Sequence, residues 1–141
     1  MLVILDSNVL ISALLTSSGP PLLIYLAWLQ KRFELVTCRE QIEEIRNASR
    51  YPRLRASVSP QQFGTVINHL KKSQIKDSNL PRLYSANDPN DSFLLNLAAL
   101  TGAHYLVTGD KKSQILARGK VESTTILSAR DFCTNVLKLA L

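Results

Sequence analysis

The sequence predicts an α/β domain in which helices cover both faces of a mostly parallel sheet of about five strands. Short branched apolar runs alternate with helical patterns along most of the chain, which is typical of such sheets. The opening run, Leu2 to Leu5, is apolar throughout, as in a strand buried on both faces. With 141 residues, 45% of them hydrophobic and 20% charged, we assign residues 1–141 to a single domain.

The first strand is followed by two predicted helices. Ser7 or Asn8 is expected to cap a helix that ends at Leu15. After a turn, Pro20 or Pro21 begins a second helix that ends at about Lys31. Its predicted inward side chains are Leu22, Leu23, Leu26 and Leu29.

The middle of the chain predicts two more strands and two more helices. Phe33 to Thr37 is the second strand, and Glu40 to Ser49 has the apolar spacing of a helix that Pro52 ends. A further helix begins at Ser59 and Pro60 and ends near Lys72. Leu80 to Tyr84 is the expected third strand.

The last third completes the alternation. Turn residues 88–91 lead into a helix whose body is Phe93 to Leu100 and which Gly102 ends. The fourth strand is Tyr105 to Thr108 and the fifth is Thr124 to Leu127. Ser128 is expected to cap a closing helix around Asp131 to Leu139.

Composition narrows the classes of function. Lysine and arginine total 17 against 11 acidic residues, and the net charge of +6 favours a polyanionic partner such as nucleic acid, although a merely basic protein is also consistent. The apolar content excludes disorder, and no apolar run reaches the length of a membrane span. Without a recognisable leader, and with Cys38 and Cys133 too few for a disulfide framework or a zinc site, we expect a cytoplasmic protein with buried thiols.

Acidic residues occur where a parallel sheet places its sites. Asp6 directly follows the first strand, and Asp110 follows the fourth with one glycine between. Asp91 begins the helix before the fourth strand, and Glu44 lies on the helix after the second, although Glu43 beside it is an equal candidate from the residues alone. Because ligands bind outside the carboxyl ends of parallel strands, these acids are expected to meet there.

Four converging carboxylates predict a metal site. Their mutual repulsion raises the pKa of one or more of them unless a cation neutralises the charge. Carboxylate oxygens select Mg²⁺ or Mn²⁺, and such ions promote phosphodiester hydrolysis. An acidic metal pocket on a basic chain therefore suits cleavage of a nucleic acid strand.

Each acid also has an ordinary structural interpretation. Asp6 and Asp91 can cap helices, Glu44 can be a solvated helix residue, and Asp110 can belong to a turn. An aspartyl-phosphate phosphatase would also carry a strand-end aspartate, but its second aspartate would stand at Asn8. The metal hypothesis depends on the joint placement of the four acids.

Four segments in order resemble PIN-domain proteins, and more narrowly the VapC-like toxins of bacterial and archaeal toxin–antitoxin systems. Residues 5–13 (LDSNVLISA) resemble the family's LDTNVLVSA start, and residues 33–36 with 40–45 resemble its second strand and acidic helix. Residues 88–98 (DPNDSFLLNLA) resemble its DPxDxxFLxLA segment, and residues 102–111 (GAHYLVTGDK) resemble GADYLVTGDK. The resemblance covers nearly the whole chain.

The resemblance implies a three-layer α/β/α fold and a metal-dependent endoribonuclease that cleaves single-stranded RNA, is inhibited by a cognate antitoxin and forms a homodimer or higher oligomer. The implied catalytic and metal-binding residues, for Mg²⁺ or Mn²⁺, are Asp6, Glu44, Asp91 and Asp110. Asn8 and Thr108 match polar residues of the family, Asn8 the one that supports the first aspartate, and both are predicted to bind substrate. Lys111 is a further predicted substrate-binding residue, because its charge beside Asp110 can track an RNA backbone. The family often has a further acid after Asp110 where this chain has Lys112, which leaves the number of metals open.

Basic residues form a second candidate site. One alternative function for the whole chain also remains open. Arginines cluster around Tyr51 and suit either RNA tracking or a solvated or antitoxin-binding face; they are Arg46, Arg50, Arg53 and Arg55. His69 and His104 lack metal-ligand spacing and are expected to be structural, as is Trp28 unless it belongs to a dimer surface. The alternative function is a catalytically impaired PIN-fold module that binds nucleic acid or an antitoxin.

Overall fold

The computed structural model is an α/β domain with a central sheet between two layers of helices. It describes residues 1–76, 80, 82–84, 89–109 and 114–141, and the side chains of residues 75, 76 and 89–91 lie outside that description. In chain order, the elements are β1 (Leu2–Leu5), α1 (Ser7–Leu15), α2 (Pro20–Leu29), β2 (Glu34–Cys38), α3 (Arg39–Ala48), α4 (Pro52–Arg55), α5 (Pro60–Lys72), β3 (Gln74–Lys76), α6 (Pro89–Thr101), β4 (Tyr105–Thr108), α7 (Gln114–Arg118), β5 (Lys120–Val121), β6 (Thr124–Ser128), α8 (Ala129–Asp131) and a π-helical turn (Phe132–Val136).

The sheet has the order β3-β2-β1-β4-β6-β5. Its first five strands in that order are mutually parallel, and the two-residue β5 pairs antiparallel with β6. The chain builds β1, β2 and β3 toward one edge and then returns to place β4 on the other side of β1. The predicted mostly parallel sheet is therefore confirmed, with the short β5 added at one edge.

Alternate residues of the central strands enter two separate hydrophobic cores. From β1, Val3 and Leu5 pack with α1, α2, α3 and α5, whereas Ile4 packs on the opposite face with α6 and α7. Leu106 and Val107 of β4 divide in the same way. Because successive strand residues point to opposite faces, an entirely apolar strand is what two covered faces require.

The first helices differ from the sequence prediction in cap and in face. Asp6, not Ser7 or Asn8, caps α1 by accepting a hydrogen bond from the backbone N–H of Asn8. In α2 the predicted inward residues Leu26 and Leu29 are 43% and 42% exposed. The helix is apolar on every side, so its pattern does not select a face, and packing buries Ile24, Ala27 and Trp28 instead.

Two helical segments end earlier than predicted. Each ends two residues before a residue in the left-handed region of backbone conformation. α2 ends at Leu29 rather than Lys31, because Lys31 has φ 61° and its N–H bonds to the Trp28 carbonyl. Ser128 caps α8 as predicted, but the helical segment ends at Val136 rather than Leu139, before Lys138 at φ 58°.

The third strand was predicted in the wrong place. The sheet takes Gln74–Lys76, and the described residues 80 and 82–84 are not a strand. The buried Asn96 side chain satisfies that segment instead: its Oδ1 accepts from Leu83 N at 3.0 Å and Tyr84 N at 2.9 Å, and its Nδ2 donates to Tyr84 O at 3.0 Å. A side chain thus does what a neighbouring strand would do.

Several smaller predictions are confirmed. Cys38 and Cys133 are buried free thiols, and Trp28 packs in the core. His69 lies 3.0 Å from the Tyr25 hydroxyl, and His104 accepts a hydrogen bond from Leu2 N at 3.0 Å, so each histidine has a partner within the fold. In the described part of the chain, no single helix is long and apolar enough to cross a membrane; only α1 and α2 together, which meet at 102°, reach that length and apolarity.

We predict that neither thiol reacts in the native protein at pH 8. Burial raises the pKa of Cys38 to about 12 and also raises the pKa of Cys133, so little thiolate forms. An aromatic disulfide reagent should therefore label two thiols only after denaturation. The same shift leaves the free energy of unfolding unaffected below the ordinary thiol pKa of 9.0 and lowers it as the pH rises toward 12. Rapid labelling of the native protein would contradict this assignment.

Candidate active site

The candidate site lies at the carboxyl ends of β1 and β4, where the order of the strands reverses. β2 and β3 are added on one side of β1, and β4 and β6 on the other. The backbone N–H of Asp6 donates to the Val107 carbonyl at 2.8 Å and so extends the pairing of these two strands by one residue. Open α/β sheets bind their ligands at such reversals, because the connections on either side diverge and leave a crevice.

Asp6 is a buried carboxylate with its orientation fixed by both neighbouring elements. The residue is 6% exposed. One carboxylate oxygen, Oδ1, accepts from Asn8 N in the first turn of α1 at 3.2 Å, and Oδ2 accepts from the Thr108 hydroxyl at the end of β4 at 3.1 Å. Donors to the charged form offset part of the cost of burying a carboxylate.

Thr108 is a buried hydrogen-bond partner of Asp6. It is 1% exposed, and its hydroxyl donates to the aspartate. Asn8, in contrast, is exposed on α1 beside Asp6. Of the predicted substrate-binding residues that the structure describes, Asn8 faces solvent and Thr108 does not.

A buried glutamine organises the adjoining turn. Gln41 of α3 is 0% exposed; its Nε2 donates to the Leu5 carbonyl at 2.5 Å and lies 3.4 Å from the Ser7 hydroxyl. Its Oε1 accepts from the Thr37 hydroxyl at 2.6 Å. This network joins the ends of β1 and β2 and supports the turn that carries Asp6. Sequence reasoning missed these residues, although a glutamine on the apolar face of a helix is a usable signal.

Glu44 and Glu43 have different surroundings in the structure. Glu44 is half-buried and lines a groove beside Asn8, whereas Glu43 is 51% exposed and pairs with Arg46 at 2.5 Å on the outside of α3. The groove has a volume of about 690 Å³ and lies between α1, α3 and α4. Its lining residues are Ser7, Asn8, Ile11, Ser12, Leu15, Glu44, Ala48, Tyr51, Pro52, Arg53 and Leu54.

The remaining predicted residues fall outside the described side chains. Asp91 belongs to the first turn of α6, a helix that packs against α3, but its side chain is not described. Asp110 and Lys111 lie outside the described residues and follow Gly109 in the sequence. Among the described side chains no group of three or more histidine, cysteine or acidic residues forms a metal site. Their convergence with Asp6 and Glu44 remains a prediction.

The described donors fit a hard divalent cation. Asp6 and Glu44 offer carboxylate oxygens, and the hydrogen bonds to Asp6 orient it as the outer contacts of metal-binding carboxylates do. Softer donors are engaged elsewhere: the Cys38 side chain packs in a hydrophobic core, and His104 lies at the amino end of β4. Carboxylate oxygens suit Mg²⁺ or Mn²⁺ better than zinc or copper.

The fold and the site define a mostly parallel α/β domain with the buried Asp6 carboxylate at the reversal between β1 and β4. The sequence model of the PIN domain family matches residues 2–112, and the chain belongs to this family. The PIN domain is a nuclease-type fold that usually binds divalent metals, so a nucleic acid is the substrate class it suggests. Neither a curated protein nor a solved structure matches the chain.

We predict that Gln41→Met destabilises the protein by about 1–3 kcal/mol, because the Thr37 hydroxyl and the Leu5 carbonyl lose their shared buried partner. Urea denaturation measures the effect. The matched control is Gln61→Met on the exposed side of α5, which should change the free energy of unfolding by less than about 0.5 kcal/mol. Equal stability of the two variants would mean that the network does not stabilise the turn.

Proposed function

We propose that this protein is a metal-dependent endoribonuclease that cleaves single-stranded RNA and acts as the toxin of a toxin–antitoxin pair. The observation that carries the proposal is the buried Asp6 carboxylate at the reversal between β1 and β4, held by Asn8 N and the Thr108 hydroxyl. Family membership supports the nuclease class. The net charge of +6 supports a polyanionic substrate.

The proposed metal-binding and catalytic residues are Asp6, Glu44, Asp91 and Asp110. These residues would hold Mg²⁺ or Mn²⁺, which would supply positive charge to the phosphate and lower the pKa of a bound water. The reaction adds a water oxygen to phosphorus and breaks one P–O ester bond, and the departing oxygen takes up a proton. Thr108 positions Asp6, while Asn8 and Lys111 contact the RNA backbone.

The partners are also proposals. Leucines of α1 and α2 are exposed, with Leu15 at 44%, Leu26 at 43% and Leu29 at 42%, and Leu15 lines the groove. Such an apolar surface suits a protein partner, either the cognate antitoxin or a second copy of the chain. We place the protein in the cytoplasm, where its RNA substrates and its antitoxin are made.

We predict that Asp6→Asn abolishes RNA cleavage and leaves the fold intact. Asparagine caps helices as well as aspartate, and its amide can still bond to Asn8 N and Thr108, so the free energy of unfolding should change by less than about 1 kcal/mol. Loss of the charge should reduce cleavage by at least about 100-fold, since changes to outer contacts alone cost up to that much.

The assay is single-turnover cleavage of a mixed RNA pool with Mg²⁺, with Mn²⁺ and with EDTA, using the parent protein and Asp6→Asn side by side. EDTA should stop the parent. If Asp6→Asn cleaves as fast as the parent, the assignment is wrong. RNA binding that EDTA does not affect, without cleavage under any divalent metal, would favour the impaired binding module.

Adjacent glutamates provide a matched pair for the metal site. Glu44→Gln should raise the Mg²⁺ concentration needed for half-maximal cleavage by about tenfold or more, because Glu44 lines the groove beside Asn8. Glu43→Gln removes the same charge from the exposed side of α3 and should leave that concentration unchanged. An equal effect of both variants would show that only the overall charge matters, and a larger effect of Glu43→Gln would reassign the ligand.

A further inference from the structure

The outer side of α1 joins two grooves into one path. The 690 Å³ groove on the α3 and α4 side and a second groove of about 500 Å³ on the α2 and α8 side share Asn8 and Ser12. The second groove is lined by Asn8, Ser12, Pro20, Pro21, Gly109, Ser128, Ala129 and Arg130. Asp6 does not itself line either groove, but Asn8, which both grooves share, donates its backbone N–H to the Asp6 carboxylate at 3.2 Å.

The first groove ends in an exposed ring beside a guanidinium group. Tyr51 is 57% exposed, and Arg53, two residues further on, is also exposed. A tyrosine ring that water reaches on this scale is available to stack on a base that is not already stacked. An arginine next to it can bind the phosphate that follows such a base.

The second groove has apolar walls at Pro20, Pro21 and Ala129, several polar groups and one positive charge. Arg130 is exposed and is the charged member of the described residues that line it. Ser12, Ser128 and Asn8 add hydroxyl and amide groups to the wall. Groups of this kind bind phosphate and ribose oxygens rather than apolar side chains.

We infer that a single strand of RNA crosses α1 through both grooves, with one base stacked on Tyr51 and with phosphates bound by Arg53 on one side of Asp6 and by Arg130 on the other. The position of the cleaved phosphate, next to Asp6, rests on the proposed function. The two arginines hold the strand on either side of that point.

The features of the path favour a single strand over a duplex or a protein. Base faces in a duplex are stacked on one another and cannot reach Tyr51. The walls of the path include apolar side chains such as Ile11 and Leu54, so the choice of RNA rests on charge: the described charged residues along the path are two arginines and Glu44, which belongs to the proposed metal site. The guanidinium groups of Arg53 and Arg130, with the exposed ring of Tyr51, match the alternating phosphates and bases of a single strand.

The test measures binding of a fluorescent 12-nucleotide polyuridine to the full chain in EDTA, by anisotropy over a range of salt concentrations. Variants are Tyr51→Leu, Arg53→Gln and Arg130→Gln. Arg55→Gln is the matched control, because Arg55 is exposed in the same arginine cluster as Arg53 but does not line the groove. Thermal melting checks that each variant is folded.

Tyr51→Leu should weaken binding about fivefold or more without changing its salt dependence. Arg53→Gln and Arg130→Gln should each reduce the slope of log affinity against log salt by about 0.7, as expected for one lost phosphate contact. Arg55→Gln should leave the slope unchanged.

Three results would overturn the inference: no binding by the parent, equal effects of all three arginine variants, or unchanged binding in the groove variants. The last would leave the path to a protein partner. Because EDTA prevents metal-dependent cleavage, binding with these signatures but without cleavage under any metal would reject the nuclease proposal and retain the RNA path.

Discussion

The hydrogen bonds to the Asp6 carboxylate are the constraint on which the rest of the site depends. They link the end of β1 to the end of β4 through Thr108 and to the start of α1 through Asn8. A buried carboxylate without donors would cost several kcal/mol, so these elements stay together in the folded state. Gln41 extends the same arrangement to β2. The crevice beside the reversal is therefore held from three sides before any ligand arrives.

Local signals predicted most of the fold. The capping box of Ser59 and Gln62 marks the start of α5, and Gly102, at φ 62°, marks the end of α6. The failures come from tertiary competition. No local pattern shows that Asn96 satisfies the backbone near Tyr84 or that β2 takes Gln74–Lys76 as its partner. Tertiary packing likewise determines which face of the uniformly apolar α2 is buried.

The site could be predicted in part. Asp6 directly follows a buried strand, so the local sequence is enough to place it at the carboxyl end of β1. Helical phase around Ile42 and Ile45 does not separate the two glutamates, since at about 100° per residue both lie equally far from that face. Only the burial of Gln41 and Ala48, which the structure shows, places Glu44 nearer the covered side of α3. The role of Gln41 could not be read from the local sequence either, because its partners lie on two strands distant in sequence.

The sheet ends in very short strands on both sides, three residues in β3 and two in β5. Short edge strands offer few open backbone groups to a passing chain, so this sheet is a poor template for the intermolecular strand addition that leads to fibrils. Contacts between copies of the protein are therefore better served by the side chains of its helical layers than by the described edges of its sheet.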